Sequence, residues 1–146
     1  MSTPTSAPAP KDSSDSEPAP FDPHDFPRDL RDAQRTAAEL YLELNAYQKT
    51  LPWSREPHPG WPDETERGRE RRGRPETPGW TPEQVAEYER LFEALREATA
   101  AVQAHAWWEH CKRNGVTGGD LIDVRQALKA AKGAVPLARD NIDTAA

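Results

Sequence analysis

Three side chains with ligand or nucleophile chemistry fall within seven positions: His105, His110 and Cys111. Zinc ligands on a single helix need i,i+4 spacing so that both point to the same side. At 100° per residue His105 and His110 diverge by about 140° on a continuous helix, and Cys111 points elsewhere again. The spacing therefore predicts no metal site. Cys111 stands beside Lys112 and Arg113, whose charges favour a thiolate, but no histidine–acid pair is placed to activate it. Gly118-Gly119 has the spacing of neither phosphate-loop fingerprint. His24 and His58 lie in proline-rich stretches. The sequence predicts no catalytic set, no cofactor and no metal, and so reads as non-enzymatic.

Two other groups of residues can make intermolecular contacts. Arg67, Arg69, Arg71, Arg72 and Arg74 form a basic run, and guanidinium groups grip phosphate bidentately. Glu66, Glu70 and Glu76 dilute it, and no aromatic side chain is interleaved for base stacking. A nucleic-acid contact here is the second reading, behind a solvated linker. The five tryptophans, Trp53, Trp61, Trp80, Trp107 and Trp108, are the candidate partner-binding residues, since tryptophan is favoured at interface anchors. Trp53, Trp61 and Trp80 are expected to fold onto the helices. Trp107 and Trp108 end a stretch, from Ala98, that has lost its polar face. Such a stretch is covered either by the protein's own last helix or by a partner.

The elements that position these residues follow from the prolines. Of fifteen, seven lie in residues 1–27, seven in 52–82 and one elsewhere. Proline inside a helix costs about 3 kcal/mol, so helix is confined to the two proline-free windows, 28–51 and 83–135. In the first, Leu30, Ala33, Ala37, Leu40, Leu44, Tyr47 and Leu51 are spaced 3 and 4 alternately, the seam of a bundle helix over 28–51. In the second, Thr81-Pro82-Glu83-Gln84 spells a capping box. Val85, Tyr88, Phe92, Leu95, Thr99, Val102 and Ala106 continue it to 113 as one helix of about 48 Å. A shorter helix over 120–132, capped by Asp120, sets Leu121, Val124, Ala127, Leu128 and Ala131 on one face. It is too short to persist in water without docking.

Residues 1–26, poor in large apolar side chains and acidic, read as a disordered tail; residues 134–146 read as frayed. The connector, 52–80, repeats Pro-Gly-Trp at 59–61 and 78–80, and both copies continue in helix-start wording. The net charge of −6 gives no field that attracts nucleic acid or anionic membrane. The opening MSTPTSAPAP lacks the pattern of a signal peptide, no apolar run reaches the roughly 20 residues of a membrane span, and a lone cysteine forms no internal disulfide. The cytoplasm is the expected compartment.

Leu51-Pro52-Trp53-Ser54, Pro59-Gly60-Trp61 and Pro78-Gly79-Trp80-Thr81-Pro82, with His105 and Trp107-Trp108 beyond, resemble a group of small uncharacterised actinobacterial helical proteins. That resemblance implies one helical architecture over 30–132 and attaches no activity.

The expectation is thus an all-α protein: a single domain over 27–133, an antiparallel hairpin of two long helices closed by a short third. Leu40, Leu44, Tyr47, Tyr88, Phe92, Leu95, Val102, Trp107 and Leu128 are its predicted core. The function expected is protein–protein contact, with an unknown partner or as a homodimer.

Overall fold

The computed structural model describes residues 20–137. Those residues are mostly helical: α1 (Arg28–Gln48), α2 (Pro82–Gln103), α3 (Ala106–Arg113) and α4 (Gly118–Leu128), with β1 (Glu64–Glu66) and β2 (Arg69–Arg71) forming a two-stranded antiparallel sheet. The sheet departs from the all-α expectation. Expected tail residues 1–19 and 138–146 lie outside the described residues.

Helix α1 follows its heptad: Leu30, Ala37 and Leu44 are buried, and Ala33, Leu40 and Tyr47 half-buried. It packs along α2. At one end Asp29 meets His105; at the other, the Trp80 indole N–H donates to the Pro52 carbonyl. Helix α2 starts as its sequence dictates. The Thr81 hydroxyl accepts from the Gln84 N–H (3.1 Å), and the Gln84 side chain accepts from the Thr81 N–H (2.9 Å), so two backbone donors that the first turn leaves unpaired are satisfied.

The single helix expected over 82–113 is two helices. It breaks at Ala104–His105 without proline or glycine. His105 leaves helical geometry (φ −62°, ψ 141°) and caps α3, its Nδ1 accepting from the Trp107 N–H at 3.0 Å. The change of direction swings Trp108 inward, where it is 3% exposed, and its indole N–H donates to the Val102 carbonyl (2.7 Å) near the end of α2. The same carbonyl also accepts from the His105 N–H (3.3 Å), so both groups cap the end of α2. An aromatic that faced water on a straight helix thus becomes the centre of the core.

That core gathers at one end of the molecule: Phe26, Leu30, Trp108, Cys111, Leu121, Val124, Leu128 and Ala134, with Phe21 and Trp107 packed against it. Phe21 and Phe26 fall inside the tail expected over 1–26, so the packed region starts earlier than predicted. Ala134, fully buried, likewise extends it past 133. The Arg31 and Arg35 guanidiniums on α1 donate to the carbonyls of Lys132 and Gly133, which holds this closing turn down. Helix α4 begins at Gly118, not at Asp120. It gives way after Leu128 to a tighter turn through Ala131.

The connector is neither loop nor incipient helix. Arg55 pairs with Trp80, His58 with Thr77, Trp61 with Arg74 and β1 with β2 in one unbroken antiparallel register, which makes 55–80 a hairpin arm. Outside the sheet the paired positions recur every third residue, and Pro57, Pro59, Pro62, Pro75 and Pro78 all fall between them, where no N–H is needed. Two seven-residue copies build the arm, Arg55-Glu-Pro-His-Pro-Gly-Trp61 and Arg74-Pro-Glu-Thr-Pro-Gly-Trp80. They lie antiparallel, each arginine across from the other copy's tryptophan. Even the turns match: His58 Nδ1 accepts from the Gly60 N–H (2.9 Å), and Thr77 Oγ1 from the Gly79 N–H (3.1 Å). Both glycines have positive φ, and a Cβ on either would collide with the opposite copy's backbone. The repeated Pro-Gly-Trp is therefore a strand-pairing unit.

Candidate functional site

Each predicted contact residue has a place in this fold. Trp108 is buried and carries the Arg125 guanidinium on its ring (4.7 Å). Trp107 is half-buried, 5.5 Å from Phe21, and its indole donates to the Pro23 carbonyl (3.1 Å). Both indole N–H groups are thus hydrogen-bonded within the chain. Trp80 packs on Tyr88 under the Arg55 guanidinium, which also reaches Glu89 at 3.1 Å, and so roots the arm on α2. Trp53 and Trp61 pack on each other and on His58, so that Trp53, just before the arm, lies against it rather than on the helices. Only Trp61, 46% exposed, offers a substantial free surface.

The arginine run occupies the arm's tip, where every residue of 61–72 is exposed. The register sets Arg71 opposite Glu64 and Arg69 opposite Glu66, across a turn at Arg67-Gly68. Over 55–80 six arginines meet six carboxylates. The tip is a charge-alternating ribbon in which Arg67, Arg69, Arg71, Arg72 and Arg74 are interspersed with carboxylates rather than gathered in an all-basic run.

His105 does not face His110 or Cys111. Its Nδ1 is taken by the cap, which leaves the ring proton on Nε2, aimed at the Asp29 carboxylate 3.2 Å away. That hydrogen bond holds the Asp29 carboxyl below the ordinary aspartate range, against an opposing effect of desolvation. Cys111 is fully buried, and desolvation pushes its thiol up despite the nearby Arg125 charge. Among the described residues no three histidine, cysteine or carboxylate side chains cluster as metal ligands.

What the structure reveals instead is a cleft. Gln34, Ala38, Tyr41 and Leu42 of α1 form one wall, Leu95, Thr99, Val102 and Gln103 of α2 the other, and Arg125 and Leu128 of α4 with its C-cap Lys129 close one end around about 650 Å³. Phe92, Arg96 and Ala100 extend the α2 wall. Tyr41 is 56%, Leu42 53% and Phe92 40% exposed. Phe92, predicted as core, is thus a correction: Leu91, 1% exposed, takes the place against α1. Relative to Leu91, Leu95 is rotated about 40°, Tyr88 about 60°, Thr99 about 80° and Phe92 about 100°, all toward the cleft. The heptad read from the sequence of α2 is therefore centred on the open cleft and not on α1. Leu40, Tyr47, Tyr88, Leu95, Val102 and Trp107 are half-buried and not fully enclosed, since a two-helix layer leaves the flanks of both helices open. Leu44 and Leu128 are buried as predicted.

Sequence reasoning missed Tyr41 and Leu42. Their signal was present: they are the two large apolar residues of the first window that fall off its heptad.

Among the described residues, four helices, a proline-rich arm and an open apolar cleft define a small helical protein built around a surface groove. The chain belongs to DUF8825, a family described as a domain of unknown function, whose model matches residues 29–131 and so takes in both arm and cleft. No curated protein and no solved structure matches the chain. Among the described residues no helix is long and apolar enough to cross a membrane.

Proposed function

We propose that this chain is a small non-enzymatic interaction module, an antiparallel α1–α2 hairpin closed by α4, whose cleft receives part of another polypeptide. One observation carries the reading: among the described residues nothing covers the cleft into which the apolar stripe of α2 is aimed. An α-helix with a heptad seam normally buries it against another helix. Here Tyr41, Leu42 and Phe92 stay in water along α1 and α2 walls whose one charged lining side chain is Arg96, in a chain of which 30% is charged. Aromatic enrichment with depletion of charge is the composition of an interface centre.

The test is a photo-reactive residue placed at Leu42, with a control at the exposed Glu39, in the protein's native cell. A discrete adduct from Leu42, absent at Glu39 and lost with Phe92→Ser, is the result expected. Equal labelling from both positions, or no adduct from either, would reject the reading.

A further inference from the structure

We infer that the occupant of the cleft is an amphipathic helix of about three turns whose flanks are acidic. The inference rests on the interaction reading above and adds the chemistry of the partner. Length comes first. The α2 wall from Phe92 to Gln103 is twelve residues, or about 18 Å of helix, which accommodates anchors at i, i+4, i+7 and i+11. Shape comes second. Small-molecule sites enclose most of their ligand. This cleft leaves both rims half in water at Tyr41, Leu42 and Phe92, so its occupant must cover rims as well as floor.

Charge decides the flanks. The charged side chains lining the cleft and its α2 extension are Arg96, Arg125 and Lys129, all cationic, although the whole chain carries 25 carboxylates against 19 bases. The carboxylates sit elsewhere: Glu87 is held by Arg90 on the other flank of α2, and Glu43 lies near that same arginine. Arg96 has Glu93 as a neighbour at 3.2 Å, whereas among the described residues Arg125 and Lys129 form no ion pair. The α4 end of the cleft is thus an apolar slot with two cations at its mouth. A second copy docked cleft to cleft would bring its own three cations against these, so an acidic helix is the better complement than a symmetric dimer.

Two labelled fourteen-residue peptides test this on the full chain. They share leucines at i, i+4, i+7 and i+11 and differ in carrying glutamate or lysine on the flanks. Fluorescence anisotropy should show the glutamate peptide binding at least tenfold tighter, with the preference shrinking in salt. Leu42→Ser should weaken both peptides. Lys129→Glu, at an exposed position, should cut the glutamate peptide's affinity several-fold while circular dichroism stays unchanged; Arg125→Glu should do the same if it folds.

Equal binding of both peptides, still lost with Leu42→Ser, overturns the acidic partner while leaving the interaction reading intact. Binding by neither peptide overturns the inference, and the Leu42 adduct then judges the broader reading separately. A dimer in sedimentation that Leu42→Ser dissolves assigns the cleft to a second copy and overturns the inference. So does peptide binding that requires removal of residues 138–146, which would make the chain's own end the occupant.

Discussion

Truncating Leu91 and Phe92 in turn separates a residue packed between helices from one facing the cleft, although the two are adjacent and both apolar. Leu91 is 1% exposed between α2 and α1, so Leu91→Ala removes transfer free energy and leaves a cavity that two packed helices cannot easily close. Such changes cost about 2–5 kcal/mol, and about 3 is expected here. Phe92 keeps two-fifths of its surface in water, stacks on Tyr88 at 6.1 Å between ring centres, and has the Arg96 guanidinium 5.4 Å from its ring. Removing it opens no closed cavity. Three-fifths of the transfer term for a phenyl ring amounts to about 1.5 kcal/mol. Urea unfolding followed at the helical circular-dichroism band should therefore place the Leu91→Ala midpoint well below that of Phe92→Ala, with unchanged slopes. In thermal melts, Leu91→Ala should fall by on the order of 10 °C. Equal losses, or a larger one for Phe92→Ala, would mean that α2 faces α1 through Phe92 and that the cleft is closed, which refutes the argument.

His105→Ala removes the cap of α3 and the contact to Asp29, and should cost about 1–2 kcal/mol in urea unfolding; His105→Asn, which can still cap, should recover most of it. Because the folded Asp29 carboxyl is held below its ordinary value, its contribution to stability is present above the unfolded-state value and is lost as pH falls through the folded one. Asp29→Asn should therefore flatten stability against pH below the usual aspartate range and leave it unchanged in shape near neutrality. Gly79→Ala places a Cβ against the Arg55 carbonyl at positive φ, so hydrogen exchange at the His58 and Thr77 amides should accelerate while the helical signal persists; undisturbed protection would contradict the paired arm. Cys111, fully buried with its thiol pushed up, should react with a disulfide reagent only as the chain unfolds, and rapid labelling of the native protein would place the core elsewhere.

Much of this architecture is legible in the sequence where local physics decides. The α1 heptad survives in Leu30, Ala37 and Leu44, and Thr81 to Gln84 forms the capping box its spelling implies. Periodicity stops short of deciding direction. Tyr88, Leu95 and Val102 belong equally to a seam through Leu91 and to one through Phe92, because the stripe is two residues wide. Only tertiary packing chooses, and it sends Phe92 to the cleft. The break at His105 was hidden because histidine is rarely read as a cap, and the segment around it was apolar enough to pass for a continuous helix. For the arm, proline content argued for loop, since proline is costly within regular ladders. A pairing repeat of three residues escapes that cost by leaving every proline between paired positions. The cleft, finally, is a property of what is missing beside α1 and α2. Tyr41 and Leu42 signalled it only as apolar residues with no place in the heptad.

Solvent accessibility of the aromatic and methyl groups, read by nuclear magnetic resonance with a soluble paramagnetic agent, probes the open cleft most directly. Signals of Tyr41, Leu42 and Phe92 should broaden together in the free chain, while those of Leu30, Leu91 and Trp108 stay sharp. Protection of Phe92 and Leu42 equal to that of Leu91 would show the stripe already covered, and the cleft would no longer stand as an interaction surface.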